Sequence, residues 1–139
     1  MLTPLHMLLL IAGATDTVRE LLAATFLDDH PDWKHLALED INVMDGESAE
    51  VDAFQMSFNT IVACECVRDA RKEAQCPVLI TCPNPAMLET VQEEFPKELV
   101  CIRIGAGKEW DGMSFHHEVD PKRCSMKQIG SFLKKLAHA

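Results

Sequence analysis

Cations are scarce in this chain. Thirteen lysines and arginines stand against 22 aspartates and glutamates in 139 residues, a formal charge of -9. No five of the cations cluster in sequence. A domain this acidic repels nucleic acid and anionic lipid surfaces unless its cations gather, so neither is expected as a partner. Long apolar runs are missing too. Met1 to Ile11 is apolar, but it has no basic leading segment, runs straight into a glycine and is too short to cross a bilayer. It reads as a short leader followed by a buried strand, and a cytoplasmic location is expected. Low-complexity tracts and internal repeats are absent, so residues 1–139 are expected to form a single domain. A chain of this length can bury about two thirds of its unfolded surface.

Cysteine is present, but the spacings that bind metal are not. Cys64 and Cys66 form a C-x-C and fall on different sides of a helix. Cys76, Cys82 and Cys101 lie in apolar, strand-like contexts, where a thiol acts as a small hydrophobe. With Cys124 they are expected to be reduced, and no metal site is expected. His116 and His117 are adjacent, so in a strand they face opposite sides; an edge strand explains them.

What is there is an alternation of buried strands and helices. Leu8 to Ala12 is a continuous apolar run of the kind found in parallel sheets, ended by Gly13. Thr17 and Glu20 have capping-box spacing, which predicts a helix from Thr17. Trp33 to Leu38 reads as a second strand and Asn42 to Glu47 as a loop. Ser48 to Glu73 contains no glycine or proline and has helical spacing, with Arg71 and Lys72 in its last turn. Pro77 to Thr81 is a strand. Asn84 caps a helix with Pro85 at its first position, and Phe95-Pro96 ends it. Leu99 to Ile104 is a strand, Ser114 to Val119 a last short one, and Ser125 with Gln128 a capping box for the final helix. This order predicts a three-layer α/β/α domain with a mainly parallel five-stranded sheet. Ligands in such sheets bind beyond the carboxyl ends of the strands, where Gly13, Glu39-Asp40, Thr81-Cys82 and Gly105 fall.

The stretch from Leu8 to Glu20 has the layout of a phosphate-binding loop, a strand leading into G-x-x-x-x-G-K-[ST] and then a helix. Only Gly13 fits that pattern. Val18 replaces the second glycine, Arg19 the lysine and Glu20 the hydroxyl. In order of elements the chain nonetheless resembles the P-loop kinase fold of small nucleoside and nucleotide kinases, over nearly its whole length. Leu38 to Ile41 resembles the segment where such kinases place an acid near the phosphate acceptor. Val78 to Ile104 resembles the third and fourth strands of deoxynucleoside monophosphate and phosphomevalonate kinases, and Phe115 to Leu136 their last strand and helix. Thr81-Cys82 stands where they carry an acid, and no arginine-bearing lid is evident between Pro96 and Ser125.

The resemblance implies a phosphate site at Gly13, Ala14, Thr15, Asp16, Thr17, Val18 and Arg19, with ATP and magnesium as cofactor. It implies catalytic roles for Arg19, as the lysine's substitute, and for Glu39 or Asp40, as base for a substrate hydroxyl. The residues themselves pull the other way. A β-branched Val18 disfavours the positive φ that the loop needs. Asp16 and Glu20 would each cost on the order of 1 kcal/mol beside a phosphate. Gly13 to Glu20 is complete as a strand exit and a helix cap, with no ligand and no assured cofactor. The expected function is therefore a degenerate nucleotide-kinase-like protein, a binding or regulatory module without efficient kinase activity, with a nucleotide or phosphorylated small molecule as candidate ligand. The alternatives are a divergent ATP-dependent nucleoside or nucleotide kinase and a flavodoxin-like signalling domain. Arg103, alone in an apolar strand, is expected to pair with a carboxylate or to face the cleft. Arg68, Arg71 and Lys72 read as the cationic end of a solvated helix. Phe54, Met56 and Phe58 spread apolar side chains over more than one helix face, which suggests a homo-oligomer.

Overall fold

A computed structural model describes residues 7–41, 53–74, 76–105 and 107–138, with the side chains of 53–57 and 74 outside the description. Five strands, β1 (Leu8–Gly13), β2 (Lys34–Ala37), β3 (Val78–Cys82), β4 (Leu99–Ile104) and β5 (His117–Val119), form one sheet in the order β2-β3-β1-β4-β5. All four pairings are parallel. Among the described residues four helices accompany them: α1 (Asp16–Asp29), α2 (Ala53–Ala74), α3 (Pro85–Glu94) and α4 (Met126–Ala137). Short 3₁₀ turns at Leu38–Asp40 and Lys108–Trp110 follow β2 and β4.

The sheet is central because β1 is buried along its full length, with helices over both faces. Alternate side chains of a strand point to opposite faces. Leu8, Leu10 and Ala12 join Val78, Ile80 and Cys82 in a core with Ala63 and Val67 of α2 and Met87, Leu88 and Val91 of α3. Leu9 and Ile11 join Leu79, Ile102 and Ile104 in a second core with Leu22 and Phe26 of α1 and Ile129 and Leu133 of α4. Helices α2 and α3 thus cover one face, and α1 and α4 the other. In a flavodoxin-like sheet β1 lies between β2 and β3. Here β3 lies between β2 and β1, which removes the flavodoxin-like alternative.

The expected caps of the later helices form. Asn84 accepts from the Met87 N–H at 3.0 Å, with Pro85 at the helix start. Ser125 and Gln128 make both bonds of their capping box. Three expectations need correction, one of them the last strand, which is trimmed from Ser114–Val119 to His117–Val119. Helix α1 begins at Asp16, not Thr17, because Thr15 is its cap: the Thr15 hydroxyl accepts from the Val18 N–H at 3.2 Å. The second strand is trimmed to Lys34–Ala37, since the chain coils into a 3₁₀ turn at Leu38. The start of the long helix at Ser48, the loop at Asn42–Glu47 and the leader up to His6 fall outside the described residues. The six cysteines are free thiols. Burial pushes the Cys82 thiol up to about 12 and the Cys101 thiol to about 11, so both are inert packing groups. Among the described residues no helix is long and apolar enough to cross a membrane.

Candidate ligand site at the strand ends

The first strand leaves the sheet through two successive left-handed residues, Gly13 at φ +81° and Ala14 at φ +56°. Glycine is required at position 13 on two counts. Its φ is positive, and a Cβ there would collide with the Ile104 carbonyl of the neighbouring strand. Ala14 bears the left-handed conformation at a cost of about 1–2 kcal/mol. Thr15 then returns to extended geometry and caps α1. Only Ala14 and Thr15 separate strand from helix. The phosphate-binding motif needs four residues between its two glycines; here Thr17, Val18 and Arg19 already belong to the first turns of α1.

Arg19 decides what this turn is. Helical side chains lean toward the helix N-terminus, so the Arg19 guanidinium reaches back beneath the loop. It is 3% exposed. Its Nη1 donates to the Gly13 carbonyl at 2.8 Å and the Ala14 carbonyl at 3.3 Å. Its Nε donates to Glu39 Oε2 at 2.7 Å, and its Nη2 pairs with the Asp16 carboxylate. Every nitrogen of the fork has an internal acceptor. The cation nearest the expected phosphate position is already neutralised by two carboxylates and two carbonyls.

Glu39 is equally committed. Its second oxygen, Oε1, accepts from the Thr81 hydroxyl at 2.7 Å. The Thr81 oxygen lies 3.2 Å from His35 Nε2. With the Thr81 hydroxyl proton directed at Glu39, the Thr81 lone pair accepts from the N–H of His35 Nε2, which leaves Nδ1 as the acceptor of that ring. Desolvation holds the His35 pKa below the ordinary histidine value, against the pull of Glu39, Asp40 and Glu20. Asp40 is exposed at the end of the 3₁₀ turn. The structure thus brings Gly13, Ala14, Asp16, Arg19 and Glu39 together, while Thr17 and Asp40 are exposed at its margin and make no bond to the guanidinium among the described contacts.

His35 was not singled out by sequence reasoning. The available signal was its parity: it pairs in register with Leu79 as Ala37 pairs with Thr81, so His35 and Thr81 share a sheet face.

Among the described residues, a cleft lies on each side of the turn. One, of about 450 Å³, is lined by Asp16, Glu20, His35, Glu39, Asp40 and Thr81 together with Ala24, Leu27 and Ala37. Four carboxylates and no cation line it, so an anionic ligand is repelled there. The other, of about 720 Å³, lies beyond β4 and β5; Ala14, Thr15 and Trp110 line it with two cations, Arg103 and Lys122, and three carboxylates, Glu109, Glu118 and Asp120. Arg103 donates to the Gly105 carbonyl at 3.1 Å and the Gly107 carbonyl at 3.0 Å. It also pairs with Asp111 at 3.1 Å and Glu118 at 3.4 Å. Both expectations for Arg103 are met at once: it pairs with carboxylates and it lines a cleft.

The other candidates are structural. His116 Nδ1 accepts from the Cys101 N–H at 3.0 Å, and the His117 ring stands edge-on to Phe132. Arg68 pairs with Glu65 and Glu94, and Arg71 with Glu98. No group of three or more metal-ligating side chains occurs among the described residues.

No protein-family model matches the chain, and no curated protein matches it in sequence. Solved structures do match in three dimensions. An unliganded sugar kinase from Janibacter sp. HTCC2649 superimposes with a TM-score of 0.70 at 12% identity, over 96% of this chain and 95% of that one. A de novo designed P-loop 2x3 fold protein gives 0.56 at 14%, over 93% and 92%. A hexameric APS kinase from Thiobacillus denitrificans gives 0.59 at 9%; it is matched over 94% of this chain but 28% of its own length. The fold is P-loop-kinase-like. Identities this low carry the architecture and leave the chemistry to the residues.

Proposed function

We propose that this P-loop-kinase-like domain is a binding or regulatory module without efficient phosphoryl transfer. The observation that carries the reading is the internal saturation of Arg19. Phosphoryl transfer depends on cations positioned around the transferred group. Here Arg19, the cation at the turn among the described residues, is buried and bonded to Gly13, Ala14 and Glu39 and to the exposed Asp16. The turn is also too short to wrap a phosphate with consecutive N–H groups. Gly13, Arg19 and Val18 act as scaffold in this reading. Ala14 and Thr15 form a wall of the larger cleft, where a nucleotide or phosphorylated small molecule would meet Arg103 and Lys122.

A divergent kinase is the second reading, favoured by the presence of one cleft on each side of the turn, as a two-substrate enzyme needs. It requires Arg19 to exchange its internal acceptors for a phosphate, and Glu39 to release Thr81 and Arg19 before acting as base; Asp40 is the unencumbered candidate. ATP with magnesium would be its cofactor. Thermal shift with ATP, GTP and their magnesium complexes separates the two. The module reading predicts that any shift is lost in Arg103→Gln and does not need magnesium. A magnesium-dependent shift with turnover of ATP in the presence of sugars or nucleosides would establish the kinase.

The proposal extends to self-association along α2, where Ile61 is 59% exposed and Phe58 is exposed beside it. The Phe54 and Met56 side chains lie outside the described ones. Light scattering coupled to size exclusion, with Ile61→Lys as the comparison, checks it; a monomer at high concentration contradicts it.

A further inference from the structure

A second polar centre lies away from the strand ends, where the last turns of α1 and α4 meet. His30 follows α1 as its C-cap residue and His138 follows α4 in the same way. Their Nε2 atoms are 3.0 Å apart. His30 is 5% exposed. Its ring is stacked on Phe26 at 4.1 Å and 8° and meets Trp33 edge-on, so it has little freedom to turn. The Nδ1 of His30 lies 3.0 Å from the Phe26 carbonyl. A carbonyl only accepts, so Nδ1 carries the proton and the lone pair of the neutral ring is on Nε2, aimed at His138. His138 is exposed, which leaves water access to the pair.

The geometry points to a two-imidazole site for a divalent transition ion between His30 and His138, completed by water. Three features support it. First, imidazole nitrogen suits zinc, nickel and copper. Second, two bonds of about 2.0–2.1 Å to one ion span 3.0 Å between nitrogens at close to a right angle, as tetragonal nickel or copper prefers; zinc needs an opening of about 0.4 Å, which the exposed His138 can supply. Third, a ligating histidine usually donates its other ring nitrogen to a carbonyl or carboxylate, which fixes tautomer and orientation; the Phe26 carbonyl does this for His30. Asp29 is adjacent but engaged by Lys134 at 2.5 Å, so it balances that ammonium and is not counted as a ligand. An ion held here would tie the end of α4 to α1, two helices on the same sheet face. Without an ion, the Nε2–H of His138 donates to His30 Nε2.

The test is isothermal titration of reduced, metal-free protein with nickel chloride and with zinc chloride. It compares the wild type with His138→Ala, with His30→Gln and with His117→Ala as a histidine control. His138 is exposed, so its removal leaves the core intact; circular dichroism of each variant verifies this. The expected result is one equivalent bound by wild type and by His117→Ala, weakened at least about tenfold in His138→Ala and His30→Gln. Hydrogen exchange of the α4 C-terminal amides should slow on ion addition in wild type and not in His138→Ala. Absence of a saturable equivalent, or equal binding by His138→Ala, overturns the site and leaves the pair as a hydrogen bond.

Discussion

Arg19 and Arg103 are two solutions to the same local problem. Each sits where a strand-end loop turns inward and leaves carbonyls facing protein. Arg19 takes up those of Gly13 and Ala14, and Arg103 those of Gly105 and Gly107. Each also pairs with two carboxylates. The difference is enclosure. Arg19 is buried and Glu39 nearly so, and Glu39 is itself anchored by Thr81. The partners of Arg103, Asp111 and Glu118, are 67% and 66% exposed; of the two partners of Arg19 only Asp16, at 78%, is as open. Exposed pairs contribute little and exchange readily with water or ligand, whereas a buried pair cannot lose one member without leaving a bare charge. On the proposed reading, the residue in the lysine position is structural, and the arginine in the fourth strand is the one an incoming anion recruits.

Substitutions test that contrast at graded strength. Arg19→Met should cost about 3–5 kcal/mol, because Glu39 is left largely buried without its counter-charge and two carbonyls lose their donors; urea denaturation measures it. A loss below 1 kcal/mol would mean that the guanidinium is not enclosed. Gly13→Ala should cost about 2 kcal/mol or more from positive φ and the collision with Ile104. Arg103→Gln should cost only about 1 kcal/mol, yet remove any anion affinity of the larger cleft. At the helix start, Thr15→Ala should lose about 1 kcal/mol as a cap residue does, while Thr17→Ala should stay within about 0.5 kcal/mol. The reverse order would restore the Thr17–Glu20 cap.

The smallest effect is a pH dependence. The folded-state pKa of His35 lies below its unfolded value because of desolvation. Below the ordinary histidine value of about 6.5, the unfolded chain takes up a proton that the folded chain resists. Stability is therefore full above that pH, begins to fall below it, and stops falling once the folded-state value is passed. His35→Gln should flatten this acid limb of the stability curve and leave the plateau at neutral pH in place.

The fold was legible because its signals are local and repeated. The apolar run at Leu8–Ala12, the Asn84-Pro85 start and the Ser125–Gln128 box each name their element in a few residues, and their order fixes the alternation of a parallel sheet. Strand order was not legible, since it depends on which strands meet across the chain; that is why a flavodoxin-like arrangement survived until β3 was seen between β2 and β1. The site was legible only in part. Gly13, Arg19 and Glu39 were picked out as a cluster, but as ligand contacts. Their mutual bonds span 6 and 20 residues of sequence, beyond any spacing rule. The cap was misplaced for a related reason: both Thr15 and Thr17 carry a capping hydroxyl, and the left-handed pair Gly13-Ala14 chooses between them.

The central claim, that Arg19 satisfies this turn from within, is tested most directly by amide chemical shifts. Titrating labelled protein with inorganic phosphate and with magnesium-ATP to about ten times a millimolar dissociation constant should leave the Asp16 N–H and the Arg19 Nε–H unmoved, with any changes confined to residues lining the cleft of Arg103 and Lys122, Ala14 and Thr15 included. A saturable shift of the Arg19 Nε–H together with the Ala14–Asp16 amides would contradict it and make the turn a phosphate site.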